Sequence, residues 1–432
     1  MYMFLHSSYV NNSQLMSAPR SVTLCKTMVW FPPELIRKVL HEVFRDGHIR
    51  SIAACSLVFR GFTQECQARL YHSLTIRGKN LMSSFEEGLN WLDEHPRLAG
   101  YVKQLALRGC LMWATNDPRS VAVCRGELHR ALLERILRQL PALEILVISR
   151  CQWVGDDSSP FSFAKARLKS VTIEDIDCLH AGGNILAILS CWDEVEAVSV
   201  NRIRWKSEHP ELEHAPRAVI VGNLKVVNRS GFYQGGGYDG RFPHAFGVKT
   251  LQITNYVYTQ TSWLRRVLAH NASSLHVLEI EIAKAANVGT EDMWQNLGIN
   301  KCTSLTHIRF QMSLEEIYHG QLPRARALSA LLLQIPGSVE VLVLQLFVRN
   351  KGRLDTYTDL ERVGWARVGA HLSRLPKLSQ ITVNLRDSDL LSPSEPSPHW
   401  TEVKRTVLPE SLSCFWPSQG LDRSSIKFQR RD

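Results

Sequence analysis

One short pattern, apolar-x-x-apolar-x-apolar, recurs along most of this 432-residue chain and constrains its fold more than any other feature. It occurs as Val102/Leu105/Leu107, Leu143/Leu146/Ile148, Leu168/Val171/Ile173 and Val195/Val198/Val200. It returns as Val248/Leu251/Ile253, Leu275/Leu278/Ile280, Leu305/Ile308/Phe310, Val339/Leu342/Leu344 and Leu378/Ile381/Val383. The final members are separated by 41, 25, 27, 53, 27, 30, 34 and 39 residues. Four intervals cluster at 25–30, and the interval of 53 is close to twice that, which places a degenerate unit near Leu224 and Val227. Self-similarity at such a period is the signature of a stacked array.

Each unit has a consistent physical reading. The last two apolar positions lie two apart, so on a strand they point to one face. The residue three earlier packs beneath the turn that enters the strand. Between the strands lie segments of helical period, at 127–140, 184–191, 262–270, 325–335 and 359–375. In the first of these, Leu128, Leu132, Leu133, Ile136, Leu137 and Leu140 recur at threes and fours. Strand then helix, repeated, predicts an α/β solenoid: a single curved parallel sheet with outer helices. The alternative is a doubly wound α/β domain, which calls for longer apolar strands buried on both faces. Here Arg309 and Gln311 flank Phe310, and Glu279 and Glu281 flank Ile280, so one face is expected to be wet.

The pattern resembles leucine-rich repeats of an irregular kind. The Asn or Cys that this family places after the strand is represented by Cys110, Cys151, Asp177, Asn201 and Asn255, and the units from residue 305 onwards are long. The resemblance implies a repeat region over 73–385 that binds another protein.

Residues 29–72 read differently. Phe31-Pro32-Pro33-Glu34-Leu35-Ile36 opens a helix, because proline in a first turn lacks only an N–H that has no partner there, and Glu34 suits the helix dipole. Leu35, Ile36, Val39, Leu40 and Val43 fall on one face at helical spacing. A polar break at 45–48 precedes Ala54-Cys55-Ser56-Leu57-Val58, then Arg60 and Phe62, and a last amphipathic stretch reaches Tyr71. This segment resembles an F-box, in particular the F-box-like modules that precede leucine-rich repeats in many fungal proteins. The opening matches the family's Leu-Pro-x-Glu start with Phe31 in place of Leu, and Phe62 stands where Trp is usual. The resemblance implies docking on a Skp-type adaptor, and through it on a cullin, by Pro32, Pro33, Leu35, Ile36, Val39, Leu57, Val58 and Phe62. A plain helical cap over the first repeat is the other reading of the same residues. Residues 72–100, with Leu74, Ile76 and a helical run at 81–92, are expected to join module to repeats.

The formal charge of +10 raises the question of nucleic acid. The charge is diffuse, with no Lys/Arg stripe interleaved with aromatics, so no nucleic-acid partner is expected. None of the ten cysteines forms a C-x-x-C pair. With no secretory signal either, reduced thiols in the cytoplasm or nucleus are expected. The apolar stretch 328–348 is broken by Pro336-Gly337, which argues for helix, turn and strand over a membrane span.

The chain has no G-x-x-x-x-G-K-[ST], G-x-S-x-G or H-E-x-x-H motif, so no catalysis and no cofactor are expected. His209 and His214 around Glu211 and Glu213 read as a polar loop rather than metal ligands, and Glu174, Asp175 and Asp177 as solvated surface. Phe232, Tyr233, Tyr238 and Phe242 surround a triple glycine and form a candidate recognition loop, with a merely flexible insertion as the alternative. Residues 1–28 and 386–432 read as tails, the second carrying Ser392-Pro393 and Ser397-Pro398. The resemblance as a whole implies the substrate-recognition subunit of a cullin-type ubiquitin ligase, with an unknown protein as target. The alternatives are a repeat scaffold independent of ubiquitin and an enzyme whose site carries no familiar motif.

Overall fold

The computed structural model describes residues 32–45, 49–58, 60–78, 85–109, 126–154, 165–178, 185–205, 219–227, 245–256, 261–282, 294–313, 324–348 and 363–387. They form a mixed α/β arrangement whose strands pair in parallel. The chain divides into two compact units: Met1–Gly155 with Thr172–Leu179, and Asp156–Val171 with His180–Asp432.

The first unit begins with three helices, α1 (Pro33–Arg45), α2 (Ile49–Val58) and α3 (Arg60–Leu70). Then come β1 (Ser73–Arg77), α4 (Glu86–Glu94), α5 (Pro96–Ala99), β2 (Gln104–Arg108), β3 (Gly126–His129), α6 (Arg130–Gln139), β4 (Ile145–Ser149) and β5 (Cys151–Val154). Strand β6 (Lys165–Cys178) contributes residues 172–178 here and residues 165–171 to the second unit. The order is β1-β2-β4, with Leu74, Leu105 and Leu146 in register and Ile76, Leu107 and Ile148 in the next inward row. All six are buried. Leu74 and Ile76 therefore extend the repeat one unit towards the N-terminus, where only a junction was expected.

A backbone relay repeats with each step. The His72 carbonyl accepts from the Lys103 and Gln104 N–H groups, and the Lys103 carbonyl from Glu144 and Ile145. Helices α4 and α6 pack together, and Asp93 accepts from Arg135 and Gln139. The helix expected from residue 127 starts at Arg130 instead, because Gly126–His129 is a strand paired with β5. That pairing depends on Arg150, whose left-handed backbone (φ 57) kinks the chain between β4 and β5. Cys151 then sits buried, its Sγ near the carbonyls of Ser149 (3.2 Å) and Leu107 (3.8 Å).

In the second unit the 3-10 turn Ile185–Cys191 leads to β7 (Trp192–Trp205), β8 (Val219–Val227), β9 (Ala245–Phe246), β10 (Thr250–Tyr256), α7 (Thr261–His270) and β11 (Val277–Ile282). A second 3-10 turn, Ile299–Lys301, precedes β12 (His307–Ser313), α8 (Arg324–Leu332), β13 (Val341–Val348), α9 (Trp365–Leu372) and β14 (Gln380–Asp387). The strands follow chain order, β7-β8-β10-β11-β12-β13-β14, with β9 beside β8. Val198, Leu224, Leu251, Leu278, Ile308, Leu342 and Ile381 form one continuous row. Val200, Val226, Ile253, Ile280, Phe310, Leu344 and Val383 form the next. The degenerate unit is thus Val221/Leu224/Val226, all buried, one position off the expected Val227.

The same backbone relay recurs at Lys249, His276, Thr306 and Glu340, each carbonyl taking two N–H groups from the following unit. The helix expected at 184–191 is a seven-residue 3-10 turn, a short connector that leaves no room for an α-helical layer. The long final helix is only Trp365–Leu372 among the described residues. Strands β6 and β7 run 14 residues each, longer than expected, and bend at Asp175 (φ 55) and Arg202 (φ 52). These positions lie two after the last apolar member, as Arg150 does, so one kink serves three units. The stretch 328–348 resolves into α8, a turn at Pro336-Gly337 and β13. No helix among the described residues is long and apolar enough to cross a membrane.

Candidate functional site

Three short helices can share only a small core, and here Leu40, Ile52 and Cys66 are buried with Val43, Cys55 and Leu70 packed against them. The Thr63 hydroxyl donates to the Ser56 carbonyl at 3.0 Å, tying α3 to α2. Burial raises the Cys66 thiol pKa, helped by the adjacent Cys55 and Glu65, so this thiol acts as a small apolar filler.

That core takes only one side of the apolar arc on α1. At about 100° per residue, Leu40 and Val43 lie on its inner side, while Leu35 and Val39 fall on the opposite margin. Leu35 is 48% exposed and Val39 57%, and Leu57 at the end of α2 is 88% exposed. The one apolar face read for α1 is therefore divided between an inward stripe and an outward one. Pro32 is exposed, and its carbonyl accepts from the Leu35 N–H at 3.0 Å, starting the helix at Pro33. The side chains of Pro33, Ile36, Val58 and Phe62 lie outside the described residues, as do Phe232, Tyr233, Tyr238 and Phe242. An aliphatic side chain of this size left in water forgoes roughly 1.5–3 kcal/mol of burial. Three such side chains are exposed on this one small module.

The sheet's outward side chains form rows that the sequence does not reveal, since a row is a property of register. In the second unit, Lys225, Gln252, Glu279 and Arg309 occupy adjacent strands at one level. Gln252 Nε2 donates to Glu279 Oε2 at 3.3 Å, and Arg309 reaches across to Gln345 Oε1 at 2.6 Å. In the first unit the rows between the inward ones are Thr75, Ala106 and Val147, then Arg77 and Arg108, which are exposed, with Ser149, which is buried. Arg77 and Arg108 were missed because β1 does not read as a repeat when Tyr71 occupies the leading apolar position.

His209, Glu211, Glu213 and His214 lie outside the described residues. Among the described residues no group of three or more His, Cys, Asp or Glu side chains is placed to hold a metal. The buried Cys302 has its pKa pushed up to about 11 by desolvation, which keeps it a neutral thiol rather than a nucleophile at physiological pH. In comparisons with protein-family models and with curated proteins, the chain matches none.

Proposed function

We propose that this protein is a recognition subunit of a cullin-type ubiquitin ligase, with α1–α3 docking on a Skp-type adaptor and the parallel repeat region holding a target protein. In this reading α1–α3 are an F-box-like module and the strands that follow are an irregular leucine-rich-repeat solenoid. The protein contributes proximity, and the ligase supplies the chemistry. The observation that carries the reading is the exposure of Leu35 and Val39 on α1 and of Leu57 on α2, in a module whose core forms without them. These are among the positions that the F-box resemblance assigns to the adaptor.

The test is capture of a purified Skp-type adaptor by the full chain. Leu35→Ala combined with Val39→Ala and Leu57→Ala should weaken capture by about thirtyfold or more, the loss of one or two anchor residues. Undetectable capture by the unaltered chain at roughly tens of micromolar, the weak end of specific association, would set the reading aside.

A repeat scaffold that acts without ubiquitin is the second reading, and one observation favours it. Helix α3 ends three residues before β1, and His72 between them already accepts the first relay hydrogen bonds from Lys103 and Gln104. A module joined so directly to the first strand is well placed to cap the repeats. Capping and docking can coexist in one protein.

A further inference from the structure

We infer that the helical layer of the second unit is a docking surface for the phosphate backbone of a nucleic-acid duplex. The inference is independent of adaptor docking, which concerns the other unit. The layer consists of α7, the turn at Ile299–Lys301, α8 and α9, each with the chain that leads on to the next strand. Over 261–276, 294–306, 324–339 and 363–379 these segments carry eight Lys and Arg and not one Asp or Glu. The chain as a whole has 51 Lys and Arg against 41 Asp and Glu, so the one-sidedness belongs to this layer. In the described part of the unit every acid stands on a strand or at its entry, Glu279, Glu281 and Glu340 among them. Charge that is diffuse along the sequence is thus gathered by the stacking of the units.

Arg324 is buried and donates to the Ser313 carbonyl at 3.1 Å, and Arg266 has partners of its own. The other six, Arg265, Lys301, Arg326, Arg367, Arg374 and Lys377, are exposed and form no ion pair among the described residues. The layer is contiguous: α7 packs on the Ile299–Lys301 turn, Gln334 just after α8 accepts from the Gly298 N–H at 3.2 Å, and α8 packs on α9. Helices of the first unit are built otherwise. There α4 carries Glu86, Glu87, Asp93 and Glu94, and Arg130, Arg135 and Arg138 of α6 each pair with Glu134 or Asp93. None of α7, α8 and α9 has an acid in its first turn, where the helix dipole favours one, and Arg326 and Arg367 stand there instead. A layer of one sign repels itself, and an anionic partner relieves that repulsion.

The other side chains of the layer select the anion. Trp263, Trp294 and Trp365 are buried, so the layer offers no aromatic platform to single-stranded bases. None of the exposed large apolar side chains among the described residues lies here, so nothing inserts into a bilayer or anchors a peptide. Recognition is by charge alone. A flexible acidic peptide has to be ordered before it offers its carboxylates to fixed cations, and no apolar contact offsets that cost. A duplex is already ordered. Three steps between neighbouring elements, at about 8–10 Å each, cover roughly 24–30 Å. That is close to one turn of a duplex, about 34 Å. Guanidinium groups match phosphate oxygens, and contacts to phosphate fix position without reading bases.

The experiment measures fluorescence anisotropy of a labelled DNA duplex two turns long, and of the RNA duplex of the same sequence, with the full chain. Duplex should bind at low salt, and the logarithm of affinity should fall linearly with the logarithm of salt concentration. The tighter of the two duplexes identifies the source of the backbone. Arg326→Gln with Arg367→Gln and Arg374→Gln should weaken binding by about tenfold or more and make the salt slope shallower by about 2–3, roughly 0.9 for each phosphate contact removed. Lys at the same three positions should retain most of the binding, because it keeps the charge. Arg97→Gln with Arg135→Gln and Arg138→Gln removes equal charge from the first unit and should leave affinity and slope unchanged, which separates a local surface from the net charge of +10. Three results would overturn the inference: no duplex binding at roughly tens of micromolar, equal loss in the two Gln variants, or tighter binding of a poly-Glu peptide or phosphatidylserine vesicles. The second-unit Gln variant should still capture the adaptor, so failure here is distinguishable from failure of the docking reading.

Discussion

Asn271 is buried at the turn after α7 and replaces two backbone partners at once. Its Oδ1 accepts from the Val248 N–H at 3.0 Å and its Nδ2 donates to the Val267 carbonyl at 2.9 Å. Asn271→Leu strands the Val248 N–H in the interior, while the Val267 carbonyl keeps the backbone N–H of residue 271 as a partner at 3.1 Å, and an unsatisfied buried group costs about 1–3 kcal/mol. Urea unfolding should show that loss as a lower midpoint with little change in slope. Cys302 makes a second residue-level test. Its folded pKa, about 11, lies above the ordinary 9.0, so the folded state holds its proton after the unfolded chain has released it. The resulting stabilisation is complete below pH 9 and is lost as pH rises towards 11. Cys302→Ala should flatten that alkaline decline, and the native thiol should resist thiol reagents at pH 8 until the chain is unfolded.

At the scale of elements, α1 separates what holds the module from what the module offers. Leu40 is buried against Ile52 and Cys66, so Leu40→Ala should cost about 2–5 kcal/mol and unravel the three helices. Leu35→Ala removes exposed surface and should change stability by no more than about 0.5 kcal/mol. Hydrogen exchange over residues 33–70 distinguishes them: protection should collapse in the first variant and persist in the second. Equal protection in both would mean that the inward stripe is misassigned. The helix dipole adds little to this contrast, since Glu34 in the first turn and Arg45 in the last are complementary in either variant.

The molecule's larger order is that of nearest neighbours. In the second unit each strand of the row pairs with the strands before and after it, β8 also carrying β9, and each relay carbonyl reaches one step onward. Stability in such an array is close to a sum of local and interface terms. Ile308 lies in the inward row between Leu278 and Leu342 and is buried. Ile308→Ala should therefore cost about 2–5 kcal/mol, with exchange protection falling first in β11, β12 and β13. A uniform loss from β7 to β14 would show instead that this unit unfolds as a single cooperative body.

What the amino-acid sequence by itself determined is the inward face of nearly every strand. A side-chain period of two is a local property, so Leu278 and Ile280, or Leu342 and Leu344, declare their common face without reference to any partner. The same parity explains the small error at Val226, since Val227 lies one step out of phase with Leu224. Tertiary structure decided the rest. Gly126–His129 is a strand because β5 is there to pair with it, and β5 is there because Arg150 kinks the chain. The arc on α1 divides between core and surface because α2 and α3 cover only one side of it. Arg77 and Arg108 become neighbours only through the register of β1 on β2, which joins residues 31 apart. Periodicity is carried by adjacent residues, whereas pairing, register and coverage depend on segments distant in the chain, and no local pattern encodes them.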